Sequence, residues 1–350
     1  MNKASTSGSG RRTAAAIAGI LVAAGVGGFG LTIAVVSALG PKPTDVALAS
    51  VQTPGATPTI AVTPTPAATP TAAPSPTPTA TPTPAPTAPP LPGMLAAIGD
   101  SYSQAYNVSP SYLRDHPQFS WVVGTARNDG VTSLLERFRA LGGSPAVVDA
   151  ATSGKKMSDA PRQAQEVVAQ AATLPAGKTV YVTFELGTND LCDDPKTSLS
   201  TFTSQLQLAV DTLEVGLPTG SRLLMLPVPD FSHFHAIAQA DPATRAALKL
   251  TVNSRRCAPF LGSDSPMSLA DAQVVLAQYD AALKGACDRL NAATGPNAHL
   301  ACTYNEALTS DRDFVVADLS TVDHFHPSLS GQAKMAADAW KADVWGSTSR

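Results

Sequence analysis

Gly99-Asp100-Ser101 closes the apolar run Leu95-Ala96-Ala97-Ile98, so a serine hydroxyl stands on the turn that leaves a buried strand. In open α/β sheets the ligand crevice lies at the carboxyl ends of strands. A serine is a weak nucleophile alone and needs a base, which in turn needs an orienting acid. Three further stretches supply those types. Asp149-Ala150-Ala151-Thr152-Ser153-Gly154 follows a second apolar run, and Leu186-Gly187-Thr188-Asn189-Asp190 follows a third. Asp323-His324-Phe325-His326-Pro327-Ser328 lies near the C-terminus. In acyl transfer a histidine takes the serine proton and a carboxylate fixes the imidazole tautomer. The tetrahedral oxyanion needs preorganised donors. Gly154 offers an unobstructed N–H and Asn189 a side-chain amide. Asp323 and His326, three apart on one turn, can face each other.

Rival assignments exist within the same stretches. His324 is two residues from His326, and a strand-like run would point the two to opposite sides. Asp230-Phe231-Ser232-His233 repeats the Asp-x-x-His spacing after the fourth apolar run, but it lacks the Pro-Ser-x-x-Gly helix start that follows His326, and reads as a loop lining. The triplets His233-Phe234-His235 and His324-Phe325-His326 invite a metal reading. Two-residue histidine spacing without cysteines or a carboxylate set does not make a zinc pattern, and no metal is expected. Asp100 and Asp190 read as turn or capping carboxylates.

The elements that must position these residues alternate between apolar runs and amphipathic stretches from Met94 onwards, the pattern of a parallel sheet covered by helices. Strands are expected at Leu95–Gly99, Ala146–Ala150, Thr179–Leu186, Arg222–Val228 and Ala298–Thr303. Helices are expected at Asp129–Leu141, Ser158–Ala172, Leu199–Val215, Leu269–Ala293 and Leu329–Val344. The last-but-one starts after Ser268, with Asp271 in its first turn. Together they make one three-layer α/β/α domain with a five-stranded parallel sheet over residues 93–350. Two long connections sit at strand ends, where pockets form. Tyr102–Thr125 carries Tyr106, Tyr112, Phe119 and Trp121, and Pro229–Ala238 carries Phe231, His233, Phe234 and His235. Each of these aromatics is expected to pack its loop onto the domain.

The chain before that domain has a different character. Lys3, Arg11 and Arg12 precede an uncharged, apolar run from Thr13 to Pro41. It is longer than an ordinary signal-peptide core and long enough to cross a bilayer. The basic flank predicts a cytoplasmic N-terminal tip. Residues 1–41 thus read as an uncleaved transmembrane anchor, or as a signal cut at Val36-Ser37-Ala38 or Ala47-Leu48-Ala49. Residues 42–92 form a Pro/Thr/Ala linker too poor in large apolar side chains to fold. Stretched as polyproline II at about 3.1 Å per residue, its repetitive part spans on the order of 120 Å. The expected location is therefore extracellular or at the cell surface. The net charge of -3 gives no reason to expect nucleic-acid binding.

Outside the cell an even cysteine count implies disulfides. Cys192, Cys257, Cys287 and Cys302 allow three connectivities, of which Cys192–Cys257 with Cys287–Cys302 is expected. The first would clip the segment beside Asn189, and the second would tie a helix end to the next strand.

Taken together, Gly99-Asp100-Ser101, Gly154, Gly187-Thr188-Asn189-Asp190 and Asp323-x-x-His326 resemble, in order, the four blocks of the SGNH/GDSL hydrolases. The resemblance spans Met94 to Trp345. It implies a flavodoxin-like sheet and cofactor-free hydrolysis of acyl esters; a monomer is expected. It further implies Ser101 as nucleophile, His326 as base, Asp323 as its partner, and an oxyanion hole of the Ser101 N–H, Gly154 and Asn189. Tyr102 departs from the family's Gly-Asp-Ser-Leu-Ser, which bears on pocket shape. Gly187-Thr188-Asn189-Asp190-Leu191-Cys192 and the run from His326 to Gln332 are similar to the lipase and phospholipase-B-like branch. The substrate expected is a lipid or small acyl ester. Removal of O-acetyl groups from surface polysaccharide is the alternative, and a non-catalytic surface binding module the third reading.

Overall fold

The computed structural model describes residues 88–347, apart from 109–112, 194, 249–256, 258–267, 296–297 and 306–313. The apolar run 13–41, the linker to residue 87 and Tyr112 lie outside the described residues. Among those described, no helix is long and apolar enough to cross a membrane.

Five strands pair in parallel: β1 (Met94–Gly99), β2 (Ala146–Asp149), β3 (Val180–Glu185), β4 (Ser221–Met225) and β5 (Leu300–Tyr304). Their order is β2-β1-β3-β4-β5. The expected five-stranded parallel α/β sheet is thus present. The chain reverses direction across the sheet between β1 and β3, which makes the carboxyl ends of those two strands the natural crevice. Both strands are buried along their whole length, as strands covered on both faces must be.

The helices are α1 (Leu134–Ala140), α2 (Ala160–Ala171), α3 (Thr188–Cys192), α4 (Leu199–Gly216), α5 (Phe231–Ala240), α6 (Pro242–Leu248), α7 (Leu269–Ala292), α8 (Leu329–Ala342) and the short α9 (Val344–Ser347). α4 packs against both α2 and α7, while α1 meets α8. Phe202 of α4 and Tyr279 of α7 stack with centroids 4.0 Å apart. On the α1 side, Phe138 meets Tyr181 of β3, Trp340 and Trp345 edge to face.

Two expectations are corrected. The first helix starts at Leu134, not Asp129, because Ser133 and Glu136 form a reciprocal capping box. The Asp129 carboxylate instead caps a turn by accepting from the Val131 N–H at 3.0 Å. Pro229–Ala238 is no open loop: α5 runs through it. Asp230 is its N-cap, accepting from the N–H groups of Ser232 and His233, and Phe231 and Phe234 bury one helical face. His233 Nε2 lies 3.0 Å from the Phe314 carbonyl oxygen. Both expected disulfides, Cys192–Cys257 and Cys287–Cys302, are present.

Candidate active site

β1 ends at a glycine and β3 is followed two residues later by another, and the local packing demands both. A Cβ on Gly99 would sit 2.2 Å from Ser103 Oγ. Gln163 of α2 clamps that residue from the side, its Oε1 accepting the Gly99 N–H at 2.9 Å and its Nε2 donating to the Gly99 carbonyl at 3.0 Å. Beyond β3, Gly187 has φ +132°, and a Cβ there would lie 2.5 Å from Val228 Cγ2. The chain can therefore turn sharply after each strand, presenting Ser101 beside β1 and Asn189 in the first turn of α3.

The serine meets its partner from the far end of the sequence. His326 Nε2 is 2.9 Å from Ser101 Oγ, and His326 Nδ1 is 2.6 Å from Asp323 Oδ2. All three residues are buried. The Asp323 carboxylate is fully engaged. Its Oδ1 accepts from the N–H groups of Phe325 and His326, each at 3.0 Å, and its Oδ2 also accepts from Asn107 Nδ2 at 2.7 Å. Burial acts to raise the Asp323 pKa. The His326 charge, the hydrogen bonds from His326 and Asn107 and the His326 N–H outweigh it and bring it down to about 2. An ionised carboxylate only accepts, so Nδ1 must carry the imidazole proton and Nε2 presents its lone pair to Ser101. The Ser101 hydroxyl lies 3.5 Å from Asp100 Oδ1, too far to compete.

His324 takes no part in this pairing. The segment from Val322 is a turn rather than a strand, with His324 in the left-handed region at φ +52° and its Nδ1 without a hydrogen-bond partner. Among the described residues no group of His, Cys, Asp and Glu is arranged to hold a metal.

The donors expected around an oxyanion come from the next two strand ends. Gly154 lies in a turn at φ +80° whose Thr152 N–H reaches the Gly99 carbonyl at 3.1 Å. The Asn189 amide nitrogen lies 2.9 Å from the Lys155 carbonyl and 3.0 Å from Asp100 Oδ2. The Gly154 turn, Asn189 and the Ser101 turn are thereby tied together. Both Asn189 amide hydrogens have acceptors, so a developing oxyanion must draw one of them away.

Asp100 does more than the turn role its sequence suggests. Its Oδ1 accepts the Tyr102 N–H at 3.0 Å, which is the turn, while its Oδ2 holds Asn189. Burial pushes its pKa up to about 7, against the pull of the Tyr102 N–H and the His326 charge. Beneath it, burial first and then the charge of Asp100 lift Glu185 well above the usual carboxylate range, while Ser103 Oγ donates to Glu185 Oε2 at 3.0 Å. Asp190 of α3 accepts the Met157 N–H at 2.7 Å.

Aromatic rings enclose the imidazole. Tyr106, Phe325 and Tyr102 have centroids 4.9, 5.0 and 5.6 Å from that of His326. Tyr102, the departure from the family's leucine, donates its hydroxyl to the Phe325 carbonyl at 3.0 Å. Of the loop aromatics, Trp121 and Phe231 are fully buried, and Phe231 stacks on Phe325 at 5.1 Å. Asn107, Glu185 and Gln163 sit in no motif that sequence reasoning could have singled out; the tolerance of asparagine for left-handed backbone was the only hint at Asn107.

Residues 95–339 match the family model described as GDSL-like lipase/acylhydrolase. No curated protein matches the chain. Among solved structures, TesA is similar at 15% identity over 71% of this chain and 97% of its own, with a TM-score of 0.42. The psychrotrophic esterase EstA from Pseudoalteromonas sp., in a structure inhibited by monoethylphosphonate, is similar at 16% identity over 71% of this chain and 96% of its own, with a TM-score of 0.39. With the family model spanning more than half of the sequence, the chain belongs to the GDSL-like lipase/acylhydrolase family and is a carboxylic ester hydrolase.

Proposed function

We propose that this is an exported serine esterase or lipase that works through an acyl-serine intermediate. The observation that carries the reading is the imidazole of His326 bridging Ser101 Oγ at 2.9 Å and Asp323 Oδ2 at 2.6 Å. In the proposed cycle Ser101 Oγ attacks the ester carbonyl carbon and its proton passes to His326 Nε2. The carbonyl oxygen becomes an oxyanion held by the backbone N–H groups of Ser101 and Gly154 and by Asn189. The intermediate collapses as His326 returns the proton to the departing alkoxide, which leaves as the alcohol. Water then attacks the acyl-serine, His326 takes its proton, and collapse releases the acid and restores the hydroxyl. Asp323 stays ionised throughout and stabilises the imidazolium that forms in each half.

Two disulfides support an oxidising location, which agrees with an N-terminal export signal or anchor at residues 1–41 and a linker over 42–92 ahead of the catalytic domain. The substrate is read as a lipid or small acyl ester. The test is a chain-length series of p-nitrophenyl esters run beside phospholipids and O-acetylated glycans, with Ser101→Ala as the control. Preference for acyl chains over acetylated polymer supports the lipase or esterase reading, and acetate release from polymer alone replaces it with a glycan deacetylase. Undiminished turnover by Ser101→Ala, or failure of a fluorophosphonate to label Ser101, refutes the mechanism itself.

A further inference from the structure

We infer that Asn107 is a positioning residue of the hydrolytic machinery, holding Asp323 in register with His326 and limiting how strongly that carboxylate pulls on the imidazole. The inference rests on the roles proposed above for Ser101, His326 and Asp323.

Asn107 is 2% exposed and sits in the left-handed region at φ +57°, two residues after Ala105 at φ +47°. Non-glycine residues seldom adopt that conformation, and asparagine is among the few that do so readily. Backbone strain of this kind persists where the surroundings over-determine it, and it gathers at functional sites. Here every polar atom of the residue is used. Its N–H donates to the Arg114 carbonyl at 2.9 Å, and its carbonyl accepts from Ser320 Oγ at 2.5 Å. Its Oδ1 accepts the Arg114 N–H at 3.3 Å, and its Nδ2 donates to Asp323 Oδ2 at 2.7 Å.

That pattern leaves one orientation for the amide. Turning it over would set an amide N–H against the Arg114 N–H and a carbonyl oxygen against a carboxylate, two repulsive contacts in place of two bonds. Asn107 therefore reaches Asp323 as a donor only. It shares Oδ2 with His326 Nδ1, while Oδ1 is occupied by two backbone N–H groups. All the lone-pair directions of the carboxylate are then filled, and the group cannot rotate without losing a bond. The connection continues to the histidine turn, because Ser320, which donates to Asn107, also receives on its carbonyl the His324 N–H and gives its own N–H to the His326 carbonyl, both at 2.7 Å.

The shared oxygen has a consequence for proton transfer. A donor aimed at Oδ2 draws charge away from the Nδ1–H···Oδ2 bond and disfavours the imidazolium. Removing it leaves Oδ2 to His326 alone, so the imidazole becomes more basic. Replacing it by a carboxyl group does less, because two carboxyl oxygens at that distance share a proton and position 107 still donates to Oδ2. The other titratable groups facing this cluster are Tyr102 and Tyr106 across the imidazole and Asp100 behind Ser101, with Glu185 and Asp190 beyond Asp100 and Arg114 on the Asn107 loop. Of these only Arg114 bonds to Asn107, through its backbone N–H and carbonyl, so a shift between variants reports on Asn107 and that contact.

The experiment compares the full chain with Asn107→Gly and Asn107→Asp, using p-nitrophenyl butyrate followed at the p-nitrophenol isosbestic wavelength. Glycine and aspartate both accept a left-handed backbone, so the fold is retained while glycine removes the donor and aspartate replaces it by a shared proton. Loss of one charge-assisted hydrogen bond predicts a fall in kcat on the order of 10- to 100-fold, with KM little changed. The acid limb of kcat/KM moves to higher pH in Asn107→Gly, and by less in Asn107→Asp, where the shared proton still occupies Oδ2. A purely structural role would lower the amount of folded enzyme and leave the limb in place. An unshifted limb, or kcat within twofold of the parent, in Asn107→Gly overturns the inference. Ser101→Ala, run in parallel, separates the two levels. If it is inactive while the position-107 variants behave like the parent, only the role of Asn107 fails. If it turns over normally, the catalytic assignment fails as well.

Discussion

Replacing Asp323 by asparagine changes one atom type, and the surrounding bonds dictate where that atom goes. The backbone N–H groups of Phe325 and His326 both point at Oδ1, each at 3.0 Å, so the amide oxygen must take that place. The new NH2 group then falls on the Oδ2 position, facing His326 Nδ1 at 2.6 Å and Asn107 Nδ2 at 2.7 Å. Asn107 cannot turn over to accept, because its own oxygen is held by the Arg114 N–H. The imidazole is the group that yields. It gives up the Nδ1 proton and carries one on Nε2, where it meets the Ser101 hydroxyl as a donor and cannot take its proton. A wrong tautomer of this kind costs on the order of 10⁴ in kcat, equivalent to about 5.4 kcal/mol of barrier. Stopped assays of p-nitrophenyl butyrate turnover at neutral pH, beside the rate of fluorophosphonate labelling, measure both halves of the effect. Adding Asn107→Asp to this variant gives the new amide an acceptor and should restore thermal stability without restoring turnover, because the tautomer stays wrong. An Asp323→Asn enzyme within tenfold of the parent would refute the reasoning, since it would mean that Asp323 does not set the tautomer.

Asn189→Ala should lower kcat by about 10²- to 10³-fold while KM changes little, as expected for a donor that strengthens only at the oxyanion; equal losses in binding and turnover would count against that role. Gly187→Ala should destabilise the fold by roughly 2–4 kcal/mol in urea unfolding, combining an unfavourable φ with overpacking against Val228; a change below about 0.5 kcal/mol is the refuting result. Asp323 has a folded-state pKa of about 2, below its ordinary value, so the stability it supplies is present above pH 4 and is lost as the pH falls through about 2. That contribution is about 2 kcal/mol, and unfolding titrations between pH 2 and 5 should show it in the parent and not in Asp323→Asn. The Cys192–Cys257 bond closes a separation of 65 residues, and its removal by a Cys192→Ser/Cys257→Ser variant should cost about 4 kcal/mol on the chain-entropy argument; an unchanged unfolding midpoint would contradict that value.

The sequence makes the sheet legible because buried parallel strands are short apolar runs set between helical patterns. It also makes Ser101, Asn189, Asp323 and His326 legible, because the proposed chemistry calls for a hydroxyl, an amide, a carboxylate and an imidazole. What it hides is what other elements bring to them. Asn107 is an ordinary loop residue until the fold sets it beside Asp323, 216 positions away. Asp100 has the local signature of a turn former, and forms that turn, yet its second oxygen holds Asn189 from a different strand end. α5 was hidden for another reason. Its two histidines and the Pro-rich approach read as loop, while the helical signal lay in Asp230 as a cap and in the Phe231–Phe234 pair, too short a pattern to outweigh the prolines.

Ser101 and the imidazole it meets are separated by 225 residues, and α8 braces their meeting. Gln332 of α8 donates to the Tyr102 carbonyl at 3.1 Å and accepts the Trp121 N–H at 2.9 Å. During synthesis the proposed nucleophile therefore leaves the ribosome long before its proposed base is made. A chain cut short before His326 carries a harmless hydroxyl, and under the proposed roles the capacity to cut esters arrives only with the segment that brings the imidazole.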